Sequence, residues 1–424
     1  MRRKKCIWLT MVFLLLGFLC ACGKENDVSR ESVSNSSEEI VSTEKIKGAK
    51  EKATEQWEKG YNLPIDEKER EEAESDCKKR MELISDIYCS ADKGETANVV
   101  LKDETIHAML ERIKEEGYPV TTMEAYSNIE NEESMDAFLK EAQDGKSGSA
   151  VFYELHLDGS IGRNEFTFDG KDMYFLDVNG IWNGSNEPSI SYISYTRIAD
   201  WKYTKEGWFC YELCVPKPPE VTEVVNGSCM VRVKPMSKEY REMSEKCVQG
   251  IGYKGNNLLC SNWDMAHMEG LDYNGMYEYL YTMKYQKPFQ AEDYLNGIPK
   301  DAFESLIMEY LPITAAQIRE YAVFDEEKQT YAWERLGCFN YAPTSFGTSL
   351  PEVSDIKENA DGTVTLTVNA VCDTMMCDGT VITHELTVRF AEDGSFKYLG
   401  NKILNDGIKY MPDYRYRVSM EEKL

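Results

Sequence analysis

The chain has 424 residues, of which 42% are hydrophobic and 11% aromatic, and its formal net charge at pH 7 is −26. This length and hydrophobic content predict two folded domains, each with a core of its own. The strong negative charge argues against nucleic acid and anionic lipid as partners, because like charges repel one another.

The first residues follow the order of a secretory signal peptide. The basic patch RRKK (2–5) precedes an almost wholly apolar run at 6–19, which is shorter than the roughly 20 residues that cross a bilayer. The run ends in LCAC (19–22), which resembles the lipobox of bacterial lipoproteins. The resemblance implies removal of residues 1–21 as a signal peptide and a diacylglycerol thioether on Cys22.

The lipobox resemblance implies a location on the outer face of a cell membrane, held there by fatty acyl chains such as palmitate. Each buried methylene contributes about 0.8 kcal/mol, and diacylation supplies two chains. Two alternatives are an uncleaved anchor, for which the apolar run is short, and a Cys-x-Cys metal site. The next Cys or His after Cys22 is Cys77, which is distant for such a site. Residues 22–50 are rich in Ser, Glu, Lys and Asn and predict a lipidated, disordered tether.

The predicted first domain, 51–250, begins with helices and a short α/β stretch. ANVVL (97–101) is predicted to be a strand, and a helix with Asp103 as its N-cap follows it. YPVTT (118–122) is a second predicted strand, and a second helix ends at Gly145.

After this stretch the apolar period changes from helical spacing to two, which is typical of half-buried strands. Asp-Gly and Asn-Gly dipeptides separate the runs, and these favour tight hairpin turns. We therefore predict an antiparallel β-meander. Its strands are AVFYELHL, NEFTF, DMYFLDV, SYISYTR, GWFCYEL and the hairpin VVNGSCMVRV.

The predicted second domain, 258–424, combines helices with a three-stranded antiparallel sheet, so the fold class is α+β. Thr314 and Gln317 form a predicted capping box. The strands are GTVTLTVNAV, TVITHELTVRF and SFKYLG. The C-terminal half, with its ending ITHELTVRFAEDGSFKYLGNKI, is similar to uncharacterised lipoproteins of clostridial, Gram-positive bacteria. That resemblance implies no activity.

Ten cysteines follow Cys22, and an exported protein could oxidise them in pairs. Cys372 and Cys377 flank a predicted hairpin turn and could close a small disulfide loop. In an anaerobic host the same residues could remain thiols that pack as small hydrophobic side chains. The absence of C-x-x-C argues against thioredoxin-like and zinc-ribbon chemistry.

Four histidines limit the catalytic and metal-binding options. His384 has the parity of the apolar residues of its strand, which favours a core position. Asp264 and His267, at i and i+3, could orient one another or bind a metal, but no third ligand is evident. We therefore predict no cofactor, no metal and no assigned catalytic residue.

Two aromatic segments are candidates for ligand binding. If 271–289 is helical, Tyr273, Tyr277, Tyr281 and Tyr285 form a ridge four residues apart. Tyrosine pairs an apolar face with a hydroxyl, which suits sugars, peptides or a partner protein. The alternative is that the ridge packs against a sheet. The polar and aromatic segment 179–195 is the second candidate.

The leading functional hypothesis is a non-catalytic lipoprotein that binds an extracytoplasmic ligand, or a cell-wall or protein partner, through a β-sheet surface. One alternative is a secreted hydrolase that acts on cell-wall or carbohydrate substrates through Asp or Glu. The other is a purely structural envelope protein.

Overall fold

The structure is a computed structural model that describes six stretches of the chain. The predicted signal peptide, the predicted tether, Cys22 and Cys377 lie outside the described residues. Lipidation and the Cys372–Cys377 disulfide therefore stay predictions. The described stretches are 56–95, 98–217, 227–337, 349–372, 380–411 and 413–418.

After helical residues at 56–59, four further helices follow in the first half. The first begins after Asp66, whose carboxylate accepts hydrogen bonds from the N–H groups of Lys68 and Glu69. The predicted N-cap Asp103 is instead the first residue of its helix. The helices are α1 (Glu67–Leu83), α2 (Ser85–Ser90), α3 (Asp103–Glu115) and α4 (Glu133–Gln143).

The strand predicted at 97–101 is wrong for its described part, because residues 98–102 form no regular structure. Leu101 is buried and its N–H donates to the carbonyl of Leu157. Leu101 and the partly buried Val99 therefore cover the core, Val100 is exposed, and none of the three belongs to a strand ladder.

The predicted meander is confirmed as part of a seven-stranded sheet in the described residues, with its strands in sequence order, while residues 224–226 of its last predicted hairpin lie outside them. The first two strands pair in parallel and are connected in sequence through α4. Every later pair of neighbouring strands is antiparallel. The strands are β1 (Val120–Thr122), β2 (Gly148–Leu155), β3 (Ile161–Phe168), β4 (Met173–Trp182), β5 (Pro188–Tyr203), β6 (Trp208–Leu213) and β7 (Ser228–Arg232).

A short segment after β1 connects the two edge strands of this sheet. Val120 and Glu130 exchange backbone hydrogen bonds of 3.1 and 2.8 Å. The N–H of Ile129 points the other way and donates to the carbonyl of Arg232 in β7 at 2.9 Å. The segment therefore links the two edge strands. We call the face of the sheet that packs against α4 the inner face and the opposite face the outer face.

The two faces carry different cores, as the alternation of strand side chains requires. On the inner face, Phe152, Phe166 and Phe175 pack with α4. On the outer face, Tyr153 and Leu155 pack with α1 and α3.

In the second half, the helix α8 (Ala315–Tyr321) begins with the predicted capping box of Thr314 and Gln317, which is confirmed in full. The two-residue strands β9 (Ile298–Pro299), β10 (Phe324–Asp325) and β11 (Thr330–Tyr331) form a small antiparallel sheet in the order β10-β11-β9. The elements are α5 (Lys238–Ser244) with a π-helical turn (Glu245–Gln249), β8 (Trp263–Asp264), α6 (Tyr273–Tyr285), β9 (Ile298–Pro299), α7 (Lys300–Tyr310), α8 (Ala315–Tyr321), β10 (Phe324–Asp325) and β11 (Thr330–Tyr331).

The three strands predicted near the C-terminus are confirmed as antiparallel neighbours, and two more strands extend their sheet. The order is β12-β13-β14-β15-β8 within the described residues. Together with the helices, this confirms the α+β class. The last four strands are β12 (Leu350–Glu358), β13 (Val364–Val371), β14 (Thr380–Phe390) and β15 (Phe396–Ile403).

All three sheets lie in one compact unit, which begins at Ala53. Within the part of the chain that the structure describes, we find no helix with the length and apolar character needed to cross a membrane.

Candidate functional site

A cleft of about 560 Å³ lies where the first sheet meets the second half of the chain. Its size falls within the roughly 300–1,000 Å³ typical of small-molecule sites. We call it the inter-sheet cleft. Its walls comprise residues 121–127, Glu154, 230–232, 249–254 and 349–351, with Trp208 and Tyr279.

The loop after β1 is held at the cleft by Tyr126. This residue adopts a left-handed backbone conformation with φ of 62°, which is uncommon for a side chain of its size. Its buried hydroxyl donates to the backbone carbonyl of Pro351 in β12. Met123 and Ala125 are exposed and lie in the cleft lining.

An ion pair beside the cleft joins the two sheets. Arg232 of β7 donates to both carboxylate oxygens of Glu352 in β12 at 3.1–3.2 Å, and the two side chains are only 4% and 3% exposed. Trp208 Nε1 donates to the same carboxylate at 2.9 Å. Burial lowers the pKa of Arg232 and raises the pKa of Glu352. Arg232 Nε has no hydrogen-bond partner among the described residues.

A group of titratable residues, which we call the carboxylate cluster, occupies the polar end of the inner face. It comprises Glu154, His156, Asp177 and Tyr192. The Tyr192 hydroxyl donates to Asp177 Oδ2 at 2.8 Å. His156 Nε2 lies 3.6 Å from Glu154 Oε2, and its Nδ1 lies 3.0 Å from Ser160 Oγ.

His156, Asp177 and Tyr192 of the cluster have shifted pKa values. Burial raises the pKa of Asp177, although the hydrogen bond from Tyr192 acts in the opposite direction. Burial alone would lower the pKa of His156, but the nearby carboxylates, Glu154 first among them, raise it. The pKa of the Asp177 carboxyl and the pKa of the nearby His156 imidazole are therefore both raised, the first by burial and the second by the neighbouring carboxylates.

Glu154 links the two features, because it belongs to the cluster and also lines the cleft. The arrangement can accept hydrogen bonds from ammonium and hydroxyl groups, and it can exchange protons with a bound molecule. The described residues contain no group of three or more His, Cys, Asp or Glu that could hold a metal ion.

The model of a family described as "Family of unknown function (DUF6070)" matches residues 70–417. The chain belongs to the DUF6070 family. The match includes both sheets and every residue of the inter-sheet cleft. No curated protein and no solved structure matches this DUF6070 chain.

The DUF6070 chain places the four predicted tyrosines of α6 at different depths. Tyr273 and Tyr277 are 1% and 2% exposed, and the Tyr277 ring stacks on Phe303 at 5.0 Å. Tyr281 is half-buried and Tyr285 is 48% exposed. Residues four apart drift by about 40° around a helix, so the stripe turns from core to solvent. Burial removes Tyr273 and Tyr277 from any binding surface, and the four do not form one accessible ridge.

His384 is a core residue, as its strand parity predicts. Tyr253 donates to its Nε2 at 2.8 Å, and its Nδ1 lies 2.6 Å from Asn401 Oδ1. The Asn401 amide nitrogen donates to the carbonyls of Leu259 and Ser261, which fixes the oxygen toward the imidazole. Burial lowers the pKa of His384 to about 4.

Asp264 and His267 do orient one another, with 2.9 Å between Oδ1 and Nδ1. Both are exposed at the edge strand β8, and no third ligand joins them among the described residues. The second aromatic candidate, 179–195, is largely the β4–β5 hairpin, and it supplies Tyr192 to the carboxylate cluster.

The sequence analysis missed Glu154 and Asp177, although a signal was present. Each shares the parity of an aromatic residue two positions earlier, Phe152 and Phe175, on the inner face. A charged residue at the parity of a core stripe indicates a polar extension of that core or a site.

Proposed function

We propose that this protein is a membrane-anchored, extracytoplasmic lipoprotein that binds a small polar ligand in the inter-sheet cleft. The lipobox-like LCAC sequence supports the anchor on Cys22 and the extracytoplasmic location. Its partners are then the membrane, through the lipid, and a ligand or component of the cell envelope. Removal of residues 1–21 takes away four basic residues and changes the net charge from −26 to −30, which disfavours nucleic acid.

The observation that carries the binding function is the cleft itself. Its lining includes charged residues (Glu124, Glu154 and Lys254) as well as hydroxyl-bearing and aromatic residues. Small-molecule sites of this size combine apolar walls with a few polar groups that fix orientation, and they often lie between structural layers.

The anchor is tested by metabolic labelling with palmitate in Cys22→Ser and, as the matched control, Cys20→Ser. Label and membrane partitioning should be lost in the first variant and kept in the second. A Cys22→Ser protein that is still labelled would refute the anchor.

Binding is tested by blocking the cleft with Ala125→Trp, since Ala125 is exposed at its lining. The control is Ala266→Trp, which is exposed and outside the cleft lining. The full chain in detergent is incubated with the low-molecular-mass fraction of an envelope extract, and retained compounds are identified by mass spectrometry. We expect a compound that the wild type and the control retain and that Ala125→Trp does not. Equal retention by all three proteins would contradict the proposal.

A second candidate function, a hydrolase acting on wall or carbohydrate material, is favoured by Asp177 and Glu154. Glycoside hydrolysis uses two carboxyl groups, one as acid and one as base or nucleophile, and burial raises the pKa of Asp177 in the direction that an acid needs. Product release from wall material by the wild type, lost in Asp177→Asn and kept in the exposed control Asp200→Asn, would establish this activity. If neither binding nor release is found, and deletion alters only wall morphology, the structural-envelope alternative gains support.

A further inference from the structure

A small notch lies at the polar end of the inner face, where β3 carries the buried Gly162. A Cβ added at this residue would meet Asn164 Nδ2 and His156 Nε2 at 3.5 Å, and Glu154 Cβ at 3.9 Å. These are ordinary contact distances, so the neighbouring atoms do not require a glycine here. The missing side chain instead leaves a space with polar groups around it, which we call the Gly162 notch.

The side chain of Asn164 lacks a partner at this notch. Asn164 is only 7% exposed, yet its amide has no hydrogen-bond partner among the described residues. Native structures usually satisfy such a buried amide with water or a ligand, because an unpaired polar group is destabilising. The fully sealed polar atoms without a partner, in the part of the chain that the structure describes, are Arg80 Nε, Arg232 Nε and Trp333 Nε1. The Asn164 amide is not one of them, so an incoming group can reach it.

The imidazole of His156 presents its Nε2 to the same space. The Ser160 hydroxyl donates to Asp158, so His156 Nδ1, which lies 3.0 Å from Ser160 Oγ, acts as the donor to that oxygen. Nε2 is then a donor when the imidazole is charged and an acceptor when it is neutral. A hydroxyl group suits both states, because it can accept and donate.

The strand register places the notch beside the inter-sheet cleft. Thr121 in β1, Glu154 in β2 and Gly162 in β3 are direct neighbours across the sheet. Adjacent strands lie about 4.8 Å apart, so the notch is one strand spacing from Glu154 and two from Thr121, and both of these line the cleft. Asp177 in β4 lies directly opposite Asn164 on the other side. A molecule of one or two sugar rings spans this distance.

The groups around the notch disfavour ionic ligands. Glu154, whose carboxylate lies 3.6 Å from His156 Nε2, would repel an anion, as would the net charge of the chain. An ammonium has only donors, and the nearest group to it in the notch would be another donor, Asn164 Nδ2. The aromatic residues Phe152 and Phe166 lie next to Asn164 on the same face, so the floor of the notch is apolar. Neutral hydroxyl groups on a carbon skeleton match this combination.

We infer that the ligand of the cleft is a neutral polyol of the sugar class, which inserts one hydroxyl group into the Gly162 notch. That hydroxyl accepts from Asn164 and donates toward the carboxylate of Glu154. The inference rests on the proposed binding function and names the chemical class of its ligand. Thr121, Thr122 and Ser127 provide further hydroxyl groups in the adjoining cleft.

The probes are D-glucose and glycerol, with D-glucuronate as the charged counterpart of glucose. Saturation-transfer NMR with the full chain in detergent should show transfer to both neutral probes at millimolar concentration, and weaker transfer to glucuronate. Gly162→Ala places a methyl group in the notch and should weaken glucose binding about tenfold or more. The matched control is Gly148→Ala in β2, where a Cβ would meet only Phe138 Cδ2 at 3.6 Å, and it should leave binding unchanged.

Asn164→Leu distinguishes a ligand contact from a structural role. The variant replaces the amide with an apolar side chain of similar shape, so glucose binding should weaken by a similar factor. Because the amide has no partner among the described residues, the urea midpoint of unfolding should be unchanged or higher. A lower midpoint would give Asn164 a structural role and contradict the inference.

The polyol inference is overturned by an absence of transfer to both neutral probes, by transfer that Gly162→Ala leaves unchanged, or by equal binding of glucuronate. The Ala125→Trp experiment separates this failure from failure of the binding function. If Ala125→Trp still loses an envelope compound that the wild type retains, the cleft binds a ligand of another class. If retention is equal as well, both proposals fall.

Discussion

The two large sheets give their histidines opposite surroundings, although His384 lies within β14 and His156 directly follows β2. In the second sheet, His384 is sealed from water, and both of its ring nitrogens have neutral partners, Tyr253 and Asn401. In the first sheet, His156 is half-buried and lies against the carboxylate of Glu154. Burial and complete neutral hydrogen bonding make the first a structural residue. Partial exposure and charged neighbours leave the second able to respond to a ligand or to pH.

The largest effect on the unfolding free energy is expected at the ion pair of Arg232 and Glu352, which joins the two sheets. Arg232→Met leaves Glu352 buried without its countercharge, and loss of one partner of a buried pair costs about 3–5 kcal/mol. Urea denaturation should show this loss of unfolding free energy. The double variant Arg232→Met/Glu352→Leu, which removes both charges, should recover much of it. A loss below about 1 kcal/mol in the single variant would mean that water reaches the pair.

The next largest effect concerns how the unfolding free energy depends on pH, which should differ between His384 and His156. Burial lowers the pKa of His384 from its ordinary value of 6.5 to about 4. The unfolded chain therefore takes up a proton at higher pH than the folded chain, so stability falls between about pH 6.5 and pH 4 by about 3 kcal/mol. His384→Gln lacks this titration, so its stability difference from the wild type, measured by urea denaturation, should shrink by that amount over the interval. A difference in unfolding free energy that stays constant with pH would contradict the lowered pKa of the buried His384.

His156→Gln should show the opposite sign. The carboxylates raise the pKa of His156, so the folded chain holds its proton at higher pH than the unfolded chain. The stabilisation is present below pH 6.5 and is lost as the pH rises through the raised pKa. The advantage of the wild type over His156→Gln should therefore decrease with rising pH. The effect should be smaller than for His384, because water partly screens a half-buried pair. A difference that grows with pH would refute the charged state of this imidazole.

Local patterns predicted the elements of this fold well, because each rests on neighbours in sequence. The period-two runs of the meander and the capping box at Thr314 are examples. Apolar content alone misled at 98–102, where Leu101 covers a core without pairing in a sheet. The drift of the α6 tyrosines from core to solvent depends on where the helix packs, which spacing does not reveal.

The site could not be predicted in the same way, because its parts meet over long sequence separations. A hydrogen bond from Ile129 to Arg232 links the segment after β1 to β7, and the ion pair joins Arg232 to Glu352. Neither contact leaves a periodic signal. Glu154 and Asp177 did leave one, since each has the parity of an aromatic stripe, but only the strand register shows that both lie on the same face of the sheet.

The smallest effect on stability is expected at the exposed end of α6. Substitution there tests whether the exposed tyrosines or the inter-sheet cleft bind the ligand. Tyr285 is 48% exposed, so Tyr285→Ala should change the unfolding free energy by no more than about 0.5 kcal/mol. The matched control Tyr277→Ala removes a ring stacked in the core and should cost about 3–5 kcal/mol. Retention of the envelope compound should be unchanged in Tyr285→Ala, since this residue is not part of the cleft lining. If retention falls while stability holds, the surface of Tyr281 and Tyr285 binds the ligand, and the predicted tyrosine site survives in its outer half.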